Sequence, residues 1–143
     1  MNYSLSIIVP ARNEKKYIEL IIERLLVVPL PQKTEVLFVE GHSKDGTLDE
    51  IKRVAENYKN KIHIRHALQD GIGKADAVWK GFELVENDIV IILDADLTVK
   101  PEDLPKFYEA IVADRGRLIN GSRMILKMEK GAMRPLNYLG NKF

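Results

Sequence analysis

The sequence predicts an α/β fold of three layers, with helices covering both faces of a mostly parallel sheet. Two observations carry this. Short apolar runs alternate with amphipathic stretches from residue 5 to about residue 120, which is the pattern of successive β-α units. Polar clusters also follow three of those runs directly, as happens where open parallel sheets present ligand-binding strand ends.

Each element has its own justification. Leu5-Ser6-Ile7-Ile8-Val9 reads as strand one, stopped by Pro10. Ile18, Ile21, Ile22, Leu25 and Leu26 recur at helical spacing between Lys15 and Val28, and Pro29 and Pro31 close that helix. Val36 to Val39 is strand two. Thr47-Leu48-Asp49-Glu50 has capping-box form and opens a second helix to about Tyr58. Lys61 to Arg65 alternates as strand three, nearer an edge. Gly71-Ile72-Gly73 precedes a third helix, Lys74 to about Val85, with Ala75, Val78, Trp79 and Phe82 on one face and Trp79 assigned to the core. Ile89 to Leu93 is strand four, an uninterrupted apolar run of the kind buried in parallel sheets. Pro101-Glu102-Asp103-Leu104 starts a fourth helix, and Leu118-Ile119-Asn120 is strand five.

Composition narrows the function. With 22 basic and 21 acidic side chains the formal net charge is +1, and no long basic run suggests nucleic acid as a partner. The absence of cysteine excludes disulfides, thiolate catalysis and Cys-ligated zinc. The three histidines, His42, His63 and His66, are scattered; the last two, in or beside strand three, read as structural. No signal peptide and no apolar run of membrane-spanning length occurs, so the expected location is cytoplasmic. The tail from Gly121 breaks the pattern, and Leu136 to Leu139 begins an element that stops at Phe143. The expected organisation is therefore a binding domain over 1–121 and, over 122–143, the start of an acceptor-side, membrane-facing segment cut from something longer, which could pair with a second copy as a homodimer.

Three polar strand ends should converge at one edge of the sheet: Pro10-Ala11-Arg12-Asn13-Glu14, Glu40 to Thr47, and Asp94-Ala95-Asp96. Alternating carboxylates at a strand mouth are suited to holding a divalent cation, and the cation to holding phosphates. No Gly-x-Gly-x-x-Gly follows strand one and no P-loop occurs. The chemistry points instead to a nucleoside diphosphate held through a metal.

These three segments resemble the nucleotide-binding part of family 2 inverting glycosyltransferases of the GT-A fold, over residues 4 to 123. The tail, from Gly121-Ser122-Arg123 to Arg134, is similar to the polyprenyl-phosphate sugar transferases. The resemblance implies a Rossmann-like nucleotide-diphospho-sugar transferase fold and a set of roles. Pro10, Arg12 and Glu14 would line the nucleoside, with Glu14 accepting from a ribose hydroxyl. Val39 and Glu40 would lie at the base, where family members usually carry two acids and this chain has Glu40-Gly41. Asp94 and Ala95 would approach the nucleotide sugar, and Lys74 the phosphates. Asp94 and Asp96 would hold Mn2+ or Mg2+, with Thr98 at a position where related synthases often carry Gln. Asp96 and Arg123 would be the catalytic pair, and Arg123 and Arg134 would hold an acceptor phosphate. The implied reaction moves a hexosyl group from a UDP or GDP sugar to a polyprenyl phosphate at the inner face of a membrane. A saccharide hydroxyl acceptor, or donor binding without transfer, are the alternatives.

Overall fold

The computed structural model describes residues 3–121. Arg123, Arg134 and the rest of 122–143 lie outside the described residues, as does any domain boundary near 121. Four parallel strands form one sheet in the order β3-β2-β1-β4. They are β1 (Leu5–Ala11), β2 (Thr34–Glu40), β3 (His63–Leu68) and β4 (Ile89–Ile92). The helices are α1 (Lys15–Leu26), α2 (Thr47–Tyr58), α3 (Lys74–Leu84) and α4 (Leu104–Val112), the last entered through a 3-10 turn at Pro101–Asp103.

Strand alternation sorts the core into two halves. Ile7 and Val9 of β1 and Val36 and Phe38 of β2 face one side and pack with Ile18, Ile22, Ile51, Val54 and Leu104, so α1, α2 and α4 cover that face. Ile8, Leu37 and Val39 face the other side and meet Ala77 of α3. The central strands are apolar on both faces because both faces are covered. β3 is the edge expected of it.

Four expectations change. β1 continues through Pro10 to Ala11, pairing Pro10 with Val39. Ile8 carbonyl accepts from Leu93 N–H at 2.9 Å and Ala11 carbonyl from Gly41 N–H at 2.9 Å, so even-numbered residues of β1 bond toward β4. The β1–β4 pairing ends at Ile8 and Ile92, and Pro10, which has no N–H, lies just beyond it.

The second change is on α3. Trp79 is 69% exposed and stacks edge-to-face on the exposed Phe82 ring, centroids 6.0 Å apart. The buried face is Ala77 and Gly81, because small side chains let the helix backbone approach the sheet more closely than aromatic ones allow.

Thirdly, Leu118–Asn120 forms no strand; Leu118 is 87% exposed, and no neighbouring strand among the described residues pairs with the segment. Fourthly, the capping box at α2 does not form. The cap position is Gly46, at φ 87°, with no side-chain cap bond, and the Thr47 hydroxyl is used elsewhere, as described below.

Candidate functional site

The carboxyl ends of the strands surround a cleft of about 320 Å³. It is lined by Pro10 and Ala11 at the end of β1 with Arg12 and Glu14 just beyond, by Asp94, Ala95 and Asp96 after β4, and by Gln69, Gly73, Lys74 and Ala77 from the β3–α3 connection and the first turn of α3. A larger groove of about 1060 Å³ lies at the opposite end of the sheet, beside Lys33, Glu35, Lys61 and Arg65. Of its acids, Glu35 is paired with Arg65, and the smaller cleft, at the strand carboxyl ends, is where parallel sheets bind ligands.

The loops that frame the cleft are tied to one another. Asn13 N–H donates to Ser43 Oγ at 2.8 Å, and Lys44 N–H returns to Asn13 Oδ1 at 2.9 Å. Thr47 Oγ1 accepts from Glu14 N–H at 3.0 Å and donates to Asp45 Oδ1 at 2.5 Å. That hydroxyl bond, with amides from Lys15 and Thr47, holds the Asp45 carboxyl below its ordinary pKa. Asn13, His42 and Leu97, in the loops that leave β1, β2 and β4, all have φ between 55° and 58°. For Leu97 this is a strained conformation.

The electrostatics of the cleft are concentrated in four side chains. Lys74 Nζ is ion-paired with Asp94 Oδ1. Asp96 is exposed and accepts Thr98 N–H at 3.0 Å through Oδ1. Glu14 has its pKa raised, first by burial and then by the negative charge of Asp96.

Of the expected site residues, the structure brings Pro10, Arg12, Glu14, Lys74, Asp94, Ala95 and Asp96 together in this cleft. Val39 does not line it; it is fully buried beneath α3. Glu40 does not line it either. Glu40 is 2% exposed, and its carboxylate accepts the amides of His42 at 3.0 Å and Ser43 at 2.7 Å, which organises the loop after β2. Thr98 reaches Asp96 through its backbone N–H. Sequence reasoning missed Gln69, a buried amide on the cleft wall. Its only signal is its place directly after β3, and the strand read from the sequence stops short of it at Arg65.

Among the described residues no group of three or more His, Cys, Asp or Glu side chains could hold a metal. Asp94 and Asp96 instead fit an ion that takes one or two carboxylates and completes its shell with water and phosphate oxygens, as Mg2+ and Mn2+ do in nucleotide sites.

Fold and site together define an open parallel α/β domain with an acidic ligand cleft at its strand carboxyl ends. The chain belongs to glycosyl transferase family 2, whose pattern it matches over residues 6–142. It is 35% identical over 115 residues to dolichol-phosphate mannosyltransferase of Saccharomyces cerevisiae, covering 78% of this chain and 42% of that protein. It is 32% identical over 121 residues to undecaprenyl-phosphate 4-deoxy-4-formamido-L-arabinose transferase of Photorhabdus laumondii, covering 83% of this chain and 36% of that protein. Among solved structures, a mannosyltransferase from Pyrobaculum calidifontis in complex with GDP-Man and Mn2+ superposes with a TM-score of 0.69 at 26% identity, covering 82% of this chain and 34% of that one. The fold is thus that of the GT-A nucleotide-sugar transferases. The chain spans about two fifths of the length of the yeast relative and about a third of the other two. Among the described residues no helix is long and apolar enough to cross a membrane.

Proposed function

We propose that this domain binds a UDP or GDP sugar with Mn2+ or Mg2+ and transfers the hexosyl group, with inversion, to a polyprenyl phosphate at a membrane surface. The observation that carries the reading is the meeting of Glu14, Lys74, Asp94 and Asp96 in one cleft. The relatives named for dolichol-phosphate and undecaprenyl-phosphate transfer support the acceptor class.

In this reading Arg12 and Glu14 border the nucleoside, Glu14 accepting from a ribose hydroxyl. Asp94 and Asp96 hold the divalent ion, which when bound neutralises charge building on the departing diphosphate. Lys74, paired with Asp94 in this structure, would offer its ammonium to the diphosphate oxygens once the donor is bound. A phosphate oxygen of the acceptor forms the new bond to the anomeric carbon from the face opposite the leaving group. The bond from that carbon to the nucleoside diphosphate breaks, and its electrons leave with the diphosphate. A phosphate acceptor is already an anion near neutral pH and requires no general base. It requires cations, and Arg123 and Arg134 are assigned that task because guanidinium pairs with phosphate in a bidentate manner.

Calorimetric titration of UDP and GDP, with and without Mn2+, on this chain and on Asp96→Ala tests the reading. Metal-dependent binding of one nucleotide that disappears in the variant is expected. Nucleotide binding indifferent to both metal and Asp96 would overturn the assignment.

A further inference from the structure

Gln69 is 5% exposed, yet it lines the cleft. Its backbone is fixed on both sides: N–H donates to Glu40 carbonyl at 3.0 Å, and its carbonyl lies 3.1 Å from His42 Nε2. Its side-chain Nε2 donates to Gly71 carbonyl at 2.8 Å. Because a carbonyl can only accept, that bond settles which way the amide points.

Oε1 is left over. It takes no hydrogen bond from any described residue, and it is not sealed from solvent. A Cβ built on Gly41 would stand 3.1 Å from this oxygen and 3.1 Å from Arg12 Cβ. Gly41 therefore leaves Oε1 and the stem of Arg12 facing across the width of a single carbon. Arg12 and Gln69 both line the cleft that also holds Asp94 and Asp96. A held, unpaired acceptor on the wall of a ligand cleft recognises a donor on the ligand, since filling the site without that bond would strand the oxygen.

We infer that Gln69 reads the nucleobase: its amide oxygen accepts the ring N–H of uracil or guanine. This rests on the cleft being a nucleotide-sugar site. It gives base recognition to a neutral amide, because the Glu40 carboxylate is spent on two amides of its own loop.

The test uses the full chain with Mn2+ and titrates UDP, GDP, inorganic pyrophosphate, and the base-methylated nucleotides 3-methyl-UDP and 1-methyl-GDP. The nucleotide that binds should lose about tenfold in affinity when its ring N–H is methylated. Gln69→Met should bind that nucleotide about tenfold more weakly, bind its methylated form no worse than the parent nucleotide, and leave pyrophosphate unaffected. The methylated ligands need no protein variant, so the comparison stands even if Gln69→Met folds poorly. Equal binding of methylated and unmethylated nucleotide by the unaltered chain overturns the inference. So does a Gln69→Met variant that folds but loses pyrophosphate and nucleotide alike, because Gln69 would then only support the loop. Binding of pyrophosphate without any nucleotide also overturns it, while leaving the phosphate site intact. Binding of none of them removes the nucleotide-site reading itself.

Discussion

Gly81 of α3 lies so close to Ile8 of β1 that a Cβ on the glycine would sit 2.6 Å from Ile8 Cγ2 and 2.8 Å from its Cδ1. In a free helix, alanine in place of glycine stabilises by about 1 kcal/mol. Here the fully buried Ile8 has nowhere to move, and overpacking costs about 1–3 kcal/mol. Gly81→Ala is therefore expected to lower stability, with the sign read directly from a urea denaturation midpoint.

Asp88 accepts both the amide of Ser4 at 2.8 Å and its hydroxyl at 2.6 Å, fastening the start of β1 to the start of β4. These bonds hold its pKa below the ordinary carboxylate value. The unfolded chain therefore takes up the proton first as pH falls. The stabilisation is present above pH 3.8 and is lost as pH drops through the lowered folded value. Melting curves should show Asp88→Asn less stable than the parent at pH 7, with the gap narrowing below pH 3.8.

Glu40→Gln puts an amide where one oxygen accepted a backbone N–H. Loss of a buried, charge-assisted acceptor should cost about 2 kcal/mol. Hydrogen exchange should locate the damage, with the amides of His42 and Ser43 exchanging faster. Protection unchanged at both amides would argue against the loop role.

Lys74→Met separates binding from stability. The Lys74–Asp94 pair is solvent-exposed on the lysine side, so its loss should change stability by less than about 1 kcal/mol. If Lys74 meets the diphosphate, nucleotide affinity in the presence of Mn2+ should fall about tenfold. A variant that binds nucleotide like the parent removes Lys74 from the donor site.

Much of this fold is written in hydropathy, and the exceptions have physical causes. The Ile18–Leu25 stripe announces α1 because burial there is achieved with large apolar side chains. The Ile89–Leu93 run announces β4 too, but as an edge strand it leaves Ile92 42% exposed instead of burying the whole run. On α3 the contact is made by Ala77 and Gly81, which hydropathy weighs below Trp79 and Phe82, so the wrong face looks like the core. Leu118–Ile119–Asn120 has strand composition, but a strand exists only beside a partner, which local sequence does not specify.

The cleft divides in the same way. Asp94-Ala95-Asp96 is legible because acids after an apolar run are unusual in themselves. Glu40 looks equally promising, yet its carboxylate turns inward to its own loop, a choice made by local hydrogen bonding that composition does not reveal. Ser43, Asp45 and Thr47 likewise stitch loops together. Gln69 is unremarkable in sequence and becomes distinctive only once Gly41 and Arg12 stand beside it.

Pro10 has a consequence beyond its side chain. Continuing the zip between β1 and β4 past Ile8 and Ile92 would require the next even-numbered residue of β1 to supply a backbone proton, and that residue has none to give. The ladder loses that bond there. The absence of one hydrogen atom thus favours an open mouth at Asp94 and Asp96. Any other amino acid at position 10 would restore that atom and, with it, the option of stitching the entrance shut.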